Sequence, residues 1–600
     1  CIQQLSTAGH DLMKDGFLAE RRVDEAPCPE IEINQLVEIR DVTDRIMKAV
    51  KGMKGPARNS ERKAEMTRIE EECAAKGKWR CDVVTLYHGG RYDLYRYRRY
   101  QDVRLVFAPE FQVSFFGGDP DNFTFPRYDL DVSFLRVYED GRPAKTRQHF
   151  RFSPKGAHEG ELVFVTGHPG RTMRLYTYAQ LEFLRDVLLP MKIRLLAEIR
   201  GILTEFSRRG AEAARIARGD LFFIENSFKA YKGMWDSLVD PVLMKLKKAD
   251  ERRIRARVDA DPKLKESYGG AWDAIAAAQK KFRSILKRHY LLEGRGSGFS
   301  RLFAIARTLV RAQVEMKKPD DKRLREFTEA GLPTLKQRLF STAPIYPALE
   351  EVETIFWLTK LREFLGPDDP VVRKILGSQS PASLAKALVS GSKLADVSLR
   401  KRLWKDGVGA SKDPMILLAR RFDQEARAVR KLYEDDVEAV ETRNAELIAR
   451  ARFAVDGMGA YPDATFTLRL TWGSVEGYDE FGRHVNPVTV LRGLFERATG
   501  SYPYKLPSRW LDAKGRLDLD TPTNFASSCD IVGGNSGSPV INRDGDVVGL
   551  IFDGNIQSLG GAFWFDPRVN RAVAVETPFI LEALRKVYDA RSLVKELTGD

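Results

Sequence analysis

The sequence predicts a β + α protein in which a β fold is interrupted by a large all-helical region. Three regions of different pattern along the 600 residues lead to this prediction. Apolar and polar residues alternate, with Gly and Pro breaks, in much of residues 1–173; apolar residues recur every three or four positions over 174–457; and alternation returns over 458–600. We divide the chain at these boundaries, and three independent domains are the alternative.

The first region begins with charged helical segments such as "EIRDVTDRIMKAVKGM" and then becomes strand-like. The strand patterns are "CDVVTLYHGGRYDLYRY", "DVSFLRVYEDGRP" and "ELVFVTGHPG". Because Gly-Gly and Asp-Gly pairs favour tight turns between paired strands, these stretches predict antiparallel hairpins.

The second region has the helical period throughout, for example in "YAQLEFLRDVLLPMKIRLLAEIRGILTEF". Strand patterns return in "DATFTLRLTWGSVEGYD" and "DVVGLIFDG", and "PFILEALRKVYDARSLVKEL" predicts one final helix. A helical domain inserted between two halves of a β fold is the simplest account of this order.

The composition is that of a soluble globular protein, with 43% hydrophobic and 30% charged residues. No apolar run reaches the roughly 18–20 residues that a membrane span needs. The net charge is +14, but Lys and Arg alternate with Glu and Asp along the helical stretches, and no nucleic-acid-binding motif is present. We therefore expect neither a membrane span nor a nucleic-acid partner.

The cysteines are Cys1, Cys28, Cys73, Cys81 and Cys529. They form no CxxC pair and have no zinc-like His spacing, so we expect no metal and no cofactor. Cys73 and Cys81 flank a short polar loop that a disulfide would close, and Cys1 would pair likewise with Cys28. Two disulfides would imply an oxidising compartment; reduced core thiols are the alternative.

The strongest chemical motif is "GNSGSP" at 534–539, which resembles the "GDSGGP" signature of chymotrypsin-like serine proteases. Glycines allow a sharp turn and a close approach of substrate. In that geometry Ser536 is the nucleophile, and the amides of Gly534 and Ser536 form the oxyanion hole. The alternative is an ordinary Gly-Ser turn in a β protein.

A triad aspartate is expected at Asp131, where "DVSFLRV" resembles the "DIALLKL" stretch of the same fold. Asp129 would face the same side but lacks this match. Asp131 and Ser536 are 405 residues apart, and without the 284 residues of 174–457 the separation is 121, close to the usual value of about 100. We therefore predict a chymotrypsin-like double β-barrel with an inserted helical cap.

Several long motifs together resemble the S46 family of dipeptidyl peptidases, which includes dipeptidyl peptidases 7 and 11 of Gram-negative bacteria. They are "GGDPDNFTFPRYDLDVSFLRVYEDG", "DVRLVFAPE", "GHPGRT" and "DIVGGNSGSPVIN". The resemblance runs over nearly the whole chain. It implies a serine exopeptidase that releases dipeptides from free peptide N-termini, acts in the periplasm or outside the cell, and forms a homodimer.

The same resemblance assigns residues that hold the substrate α-amino group. Asn122 and Asp553 match the family's amine-binding asparagine and carboxylate, and Asn226 matches a further asparagine from the helical domain. Phe123 stands where the family usually has Trp, so the aromatic wall is kept and the indole N–H donor is lost. Turn chemistry is the alternative for Asn122 and Asp553.

Gly554 bears on specificity for the second substrate residue. Family members that prefer Asp or Glu there resemble this stretch but carry Arg at this position, as a counter-ion in the S1 pocket. Glycine implies an open, uncharged pocket, so we predict a hydrophobic or broad preference.

The histidine base is missing from the expected context. The histidines are His10, His88, His149, His158, His168, His289 and His484, and none lies in the Asn-His-His phrase of the family. We expect the base upstream of Cys1, in a chain that is N-terminally truncated and inactive as given. His88, which precedes Asp131 by 43 residues, is the alternative base, although its sequence context is that of a hairpin turn.

Three other functions compete with this interpretation. The first is a related serine endopeptidase, against which Asn122 and Asp553 argue. The second is a protease-like scaffold without catalysis, and the third is a nucleic-acid binder that uses the +14 charge.

Overall fold

Strands and helices occupy separate stretches of the chain, in the order that the sequence patterns predict. The computed structural model describes residues 1–75, 79–294, 299–459 and 461–599. Within these residues, every strand lies before Tyr178 or after Asp456, and the stretch between contains helices and turns.

The strands are β1 (Phe17–Leu18), β2 (Ala26–Pro27), β3 (Ile33–Asp41), β4 (Arg80–Leu86), β5 (Arg91–Tyr100), β6 (Asp102–Ala108), β7 (Phe134–Glu139), β8 (Arg142–Pro143), β9 (Arg151–Phe152), β10 (Leu162–Gly167), β11 (Arg469–Ser474), β12 (Tyr478–Glu480), β13 (Arg483–Val485), β14 (Val488–Val490), β15 (Pro522–Ser527), β16 (Pro539–Ile541), β17 (Asp546–Gly554) and β18 (Ala572–Glu576).

The helices are α1 (Ile2–Leu5), α2 (Leu12–Asp15), α3 (Thr43–Ala49), α4 (Gly55–Ala74), α5 (Phe111–Ser114), α6 (Gly118–Asp121), α7 (Tyr178–Phe183), α8 (Leu189–Ser207), α9 (Ala211–Val239), α10 (Pro241–Ala260), α11 (Pro262–Tyr268), α12 (Ala271–Leu292), α13 (Arg301–Glu315), α14 (Leu332–Leu339), α15 (Pro347–Leu365), α16 (Pro370–Leu376), α17 (Pro381–Gly391), α18 (Val397–Asp406), α19 (Pro414–Tyr433), α20 (Ala439–Asp456), α21 (Leu491–Arg497), α22 (Ser508–Ala513), α23 (Thr577–Lys586) and α24 (Arg591–Thr598).

The largest sheet joins strands from both sides of the helical stretch. Its eight strands run in the order β11-β10-β16-β17-β18-β15-β14, with β9 paired to β17. β10 lies before the helices and β11 after them, and they pair antiparallel from Leu162 opposite Ser474 to Gly167 opposite Arg469. Since β10 alternates buried and partly exposed residues, one face of this sheet packs on a core.

Three smaller sheets complete the strands. β1-β6-β7-β8, with β2 on β6, form a five-stranded sheet, and β3-β5-β4 and β12-β13 form the others. The β4–β5 pair is the hairpin predicted around His88, with Leu86 opposite Arg91, so this prediction is confirmed.

The helices between Tyr178 and Asp456 pack around their own apolar core. Phe303, Trp357 and Phe422 are each 1% exposed, and their ring centres lie 4.8–6.1 Å apart. At the starts of α10, α16 and α19, an Asp side chain accepts hydrogen bonds from backbone N–H groups of the first helical turn. These N–H groups have no partner within the helix itself. The stretch therefore has a helical core of its own.

Two details differ from the predicted elements. The single final helix is divided into α23 and α24, because Asp589 adopts φ 51°, which an α-helix does not accommodate. The strand predicted to begin at Asp131 begins at Phe134, so Asp131 lies in the segment that precedes it.

The structure joins Cys1 to Cys28 and Cys73 to Cys81, with Cα atoms 5.1 and 6.0 Å apart. Residues 76–78 of the short loop lie outside the described residues. Cys529 is a buried free thiol. No helix in the described part of the chain is long and apolar enough to cross a membrane.

Candidate active site

One cavity brings together the residues predicted for catalysis and substrate binding. It has a volume of about 1200 Å³ and lies between the end of the large sheet and helices α8, α9 and α12. The predicted residues on its wall are Asn122, Phe123, Asp131, Asn226, Gly534, Ser536, Asp553 and Gly554. They come from four segments that are far apart in sequence.

Ser536 projects into this cavity from the turn between β15 and β16. The turn needs glycine, because Gly534 has φ +110° and a Cβ there would lie 2.6 Å from both the His168 carbonyl oxygen and the Gly170 nitrogen. The Gly170 N–H donates to the Gly533 carbonyl at 2.8 Å and holds the turn against the "GHPG" segment. Ser536 Oγ is 3.4 Å from the Phe552 carbonyl oxygen.

The amides of Gly534 and Ser536 are available as donors. Neither N–H donates a hydrogen bond to another group in the described residues. Two unpaired amides beside a serine hydroxyl are the arrangement that stabilises an oxyanion formed on an attacked carbonyl. Their role here stays a prediction.

Asp131 and Asp129 differ sharply in environment. Asp131 is exposed to the cavity, and desolvation within the cleft raises the pKa of its carboxyl to about 6. Asp129 is fully buried; its N–H donates to Asn524 Oδ1 at 2.8 Å, and its carboxylate pairs with Arg127. Only Asp131, of these two, is placed to meet a group in the cavity.

Arg127 joins Asp129 to Asp553 in the core beneath the cavity. Its side chain is 1% exposed, and one guanidinium nitrogen pairs with each carboxylate. Desolvation raises the pKa of Asp129 to about 7, opposed by the positive charge of Arg127. With both carboxylates ionised the cluster carries a net charge of −1, which one cation in the cavity would neutralise.

Asp553 has one acceptor position left for a ligand. Oδ2 accepts from Arg127 and from the Phe123 N–H at 2.9 Å, and Oδ1 accepts from the Gly554 N–H at 2.8 Å. A carboxylate oxygen accepts about two hydrogen bonds, so Oδ1 retains capacity toward the cavity. Burial raises the pKa of Asp553.

The helical region supplies part of the same wall. Asn122 Nδ2 donates to Asn226 Oδ1 on α9 at 3.0 Å, and Lys229 Nζ donates to the Asp119 carbonyl at 2.6 Å. Asn122 Oδ1 accepts no hydrogen bond from a described group and so remains available to a donor. The structure thus brings Asn226 to Asn122, as the resemblance implied.

Phe123 holds an unusual backbone conformation. Its φ is +58°, a left-handed value that bulky residues rarely adopt, at a cost on the order of 1 kcal/mol. This conformation directs the Phe123 N–H at Asp553. The residue therefore contributes a backbone donor in addition to its ring.

Gly554 lies in a more crowded position than the sequence suggested. A Cβ there would lie 2.4 Å from Ser558 Oγ and 3.1 Å from the Arg571 carbonyl oxygen. Ser558 Oγ is itself bound to the Asn555 carbonyl at 2.6 Å. A larger residue at 554 would first have to displace the Ser558 hydroxyl.

None of the seven histidines, all within the described residues, hydrogen-bonds to Ser536 or Asp131. His289 lines the cavity from α12, packed 4.5 Å from the Tyr433 ring, and burial lowers its pKa. His88 does not line the cavity; its Nε2 lies 2.8 Å from Asp463 Oδ2.

Sequence reasoning missed three contributors: Arg127, Lys229 and Ser558. The only local signal for Arg127 was its place in "PRYDLD", because a cation beside two acids is ordinarily a surface feature. Its partner Asp553 is 426 residues away. No pattern within the chain marks Lys229 or Ser558.

Comparisons with known proteins identify the family of the chain. The family model of Peptidase S46 matches residues 1–599. An Asp/Glu-specific dipeptidyl-peptidase of Shewanella putrefaciens is 28% identical, over 99% of this chain and 88% of its own length. Dipeptidyl-peptidase 7 of Phocaeicola vulgatus is 27% identical, over 100% of this chain and 87% of its own length.

A solved structure shares the fold. Porphyromonas endodontalis DPP11 in complex with the dipeptide Arg-Asp matches with a TM-score of 0.81 at 22% identity, covering 99% of this chain and 89% of that chain. The match of the family model over residues 1–599 places the protein in the class of peptidases. Within that class, the chain belongs to the peptidase S46 family.

Proposed function

We propose that the protein is a serine-type dipeptidyl peptidase that recognises the free N-terminus of a peptide. One observation carries this proposal: Ser536 and Asp553, the carboxylate that Arg127 links to the buried Asp129, line a single cavity. The relatives reported above are dipeptidyl peptidases, which supports this proposal.

The substrate ammonium would bind at Asp553 Oδ1 and Asn122 Oδ1. Removing an ammonium from water is costly unless charge-assisted hydrogen bonds replace its hydration. Ser536 Oγ lies 3.4 Å from the carbonyl oxygen of Phe552, the residue before Asp553 on β17. Successive residues of a strand are ~3.3 Å apart, so the serine and the carboxylate are close along this strand. This short separation supports cleavage after the second residue.

Ser536 would attack the carbonyl of that residue, and the amides of Gly534 and Ser536 would bind the resulting oxyanion. Asp131 would orient the imidazole that accepts the serine proton. Helix α9, which contacts the 119–122 segment through Asn226 and Lys229, would limit the length of the N-terminal extension beyond the ammonium site.

We also propose that the sheets form two chymotrypsin-like barrels, with residues 1–173 and 458–600 as the peptidase domain and 174–457 as its inserted helical cap. The pairing of β10 with β11 across the helical stretch supports this division. The two disulfides support a periplasmic or secreted location, and the family resemblance supports a homodimer.

At the second substrate residue we propose a hydrophobic or broad preference. Gly554 carries no charge, and its neighbours Ser558 and Phe552 are neutral. The relatives include both Asp/Glu-specific enzymes and dipeptidyl-peptidase 7. The residue at 554 therefore carries this part of the proposal.

Calorimetry with the 600-residue chain tests the proposal. A dipeptide such as Ala-Leu should bind, and the same peptide with an N-acetyl group or with one more N-terminal residue should bind at least roughly 30-fold more weakly, because the ammonium no longer reaches Asp553. Mass spectrometry of a longer peptide should show no dipeptide release, since no described histidine contacts Ser536 or Asp131.

Equal binding of the acetylated peptide would contradict the exopeptidase and favour the endopeptidase. Dipeptide release that Ser536→Ala abolishes would show that a base is present among these residues and would return His88 or His289 to consideration. No described histidine contacts Ser536 or Asp131, and this observation favours a second candidate function, that of a peptide-binding scaffold without catalysis.

Replacing Gly554 with Arg should shift binding from Ala-Leu toward Ala-Asp, because a guanidinium beside the second side chain attracts a carboxylate. Ser558 obstructs this position, so the test variant is Gly554→Arg with Ser558→Ala, and Ser558→Ala alone is the control. We expect roughly a tenfold change in the Asp/Leu affinity ratio. An unchanged ratio in a folded variant would show that Gly554 does not border the second side chain.

A further inference from the structure

A second cavity, of about 370 Å³, lies in the helical region beside the main one. Helices α8, α9 and α15 form most of its wall. Lys192, Ser227, Tyr231 and Tyr290 line both cavities, so the two spaces share a boundary. Apolar side chains such as Leu196, Ile199 and Phe223 form much of the remaining surface.

Glu353 lines this second cavity without a partner. It is 7% exposed, and no hydrogen bond or ion pair within the described residues reaches its carboxyl group. Glu350, one turn earlier on α15, is the contrast: Ser300 Oγ and the N–H groups of Arg301 and Leu302 donate to it at 2.7–3.1 Å. Glu350 is thus satisfied by structure, and Glu353 is not.

Asp220 on α9 is the second carboxyl group on this wall. Desolvation raises the pKa of both Asp220 and Glu353, and the negative charges of Asp220 and Glu350 raise the pKa of Glu353 further. Arg301 is the nearby cation that opposes this effect, but its guanidinium is paired with Glu30 at 2.7 Å. Two acidic groups, the buried Glu353 and the more exposed Asp220, therefore lie on the wall of this cavity without an ion-pair partner in the described residues.

The cation on the cavity wall is Lys192, whose Nζ lies 4.7 Å from the centre of the Tyr231 ring, at the boundary with the main cavity. One ammonium there does not balance two carboxyl groups. An unpaired buried acid is costly, and such groups in proteins are usually matched to a ligand or partner.

We propose that the second cavity binds an organic cation, an ammonium or guanidinium group carried on an apolar stem. The carboxyl groups of Glu353 and Asp220 would bind the charge, and the aliphatic and aromatic wall would cover the stem. Two sources supply this chemistry: a free small cation, or the basic side chain of the first substrate residue, which rests on the proposed function.

Helix geometry allows the second source. Successive helical residues turn by about 100°, so Ser227 projects about 100° from Asn226, and Asp220 and Tyr231 lie within about 20–40° of Ser227. At ~1.5 Å per residue, Asp220 is about 9 Å along α9 from Asn226. A residue whose ammonium lies beside Asn226 can therefore send a long side chain toward the second cavity.

Calorimetry on the full 600-residue chain distinguishes the sources. Arg-Leu is compared with citrulline-Leu, whose side chain is the neutral isostere, and n-butylguanidinium is compared with n-butylurea. If the side chain is the source, Arg-Leu should bind about tenfold more tightly than citrulline-Leu, and Glu353→Gln should remove the difference. Glu351→Gln, on the same helix but outside the cavity, should preserve it.

If a free cation is the source, n-butylguanidinium should bind the wild-type protein and should not bind the Glu353→Gln variant. It should also leave dipeptide binding unchanged. Asp220→Asn, at a more exposed position, repeats each test should Glu353→Gln fail to fold. Charge-independent binding in both arms overturns the proposal. Because the n-butylguanidinium arm needs no peptide binding, a failure of the proposed exopeptidase site would show separately, as a failure of both dipeptides to bind.

Discussion

Replacing Asp553 with asparagine is expected to weaken binding of a free dipeptide by about 2–5 kcal/mol, roughly 30- to 4,000-fold in Kd. The substitution keeps the shape of the side chain and removes its charge. The Arg127–Asp129–Asp553 cluster then changes from −1 to neutral and no longer attracts the ammonium. Calorimetric titration of Ala-Leu into the 600-residue chain measures the loss.

A ligand without the ammonium supplies the control. The desamino analogue of Ala-Leu should bind wild type and Asp553→Asn with similar, weak affinity. Comparing the two ligands on the two proteins isolates the interaction between the ammonium and the carboxylate. Asn226→Ala should cost less, about 0.5–1.5 kcal/mol, because it removes a neutral hydrogen-bonding group. Equal losses for the dipeptide and its desamino analogue would show that Asp553 acts on the cavity's structure and not on the ammonium.

Replacing Arg127 with methionine is expected to lower the free energy of unfolding by about 3–5 kcal/mol. The guanidinium is 1% exposed and is the shared partner of Asp129 and Asp553, so its loss leaves two like charges in the core. Urea titration measures the change. The Asp129→Asn substitution, added to Arg127→Met, should recover part of the loss because it removes one of the two charges.

The loss should depend on pH. Desolvation raises the pKa of Asp129 to about 7 from its ordinary 3.8, so its proton is held more tightly in the folded state and stability falls as pH rises between these values. Without Arg127, which lowers this pKa, the carboxyl group is harder still to ionise. The Arg127→Met defect should therefore be larger at pH 8 than at pH 5.

A more exposed ion pair, between the ends of α6 and α21, is the control. Arg497 is 36% exposed and pairs with Asp121 at 2.6 Å, so Arg497→Met should cost only about 0–1 kcal/mol. If Arg127→Met lowered the free energy of unfolding by only about 0–1 kcal/mol, without pH dependence, the buried cluster would not contribute to stability as proposed.

Local patterns in the sequence were sufficient for the element types. The alternation and Gly-Gly turn predicted the β4–β5 hairpin, and the three-to-four spacing predicted the helices between Tyr178 and Asp456. The break at Asp589, where φ is 51°, was not predictable, because "KVYDARS" has no Gly or Pro to mark it.

The residues on the site wall were found partly by motif and partly by resemblance. Ser536 and Asp131 had motifs of their own, whereas Asn226 was named only because a family has an asparagine from its helical domain there. The structure places all three on one cavity. Their catalytic and binding roles stay predictions.

The sequence by itself determined the order of strands and helices, the glycine-rich turn at Ser536 and the membership in a peptidase family, because each depends on residues close together in the chain or on motifs read along it. Only the tertiary structure decided that Arg127 pairs with both Asp129 and Asp553, that Ser558 crowds Gly554, and that Glu353 faces a cavity unpaired. These depend on burial and on contacts between distant segments, and a side chain's charge has a different cost in water and in the core.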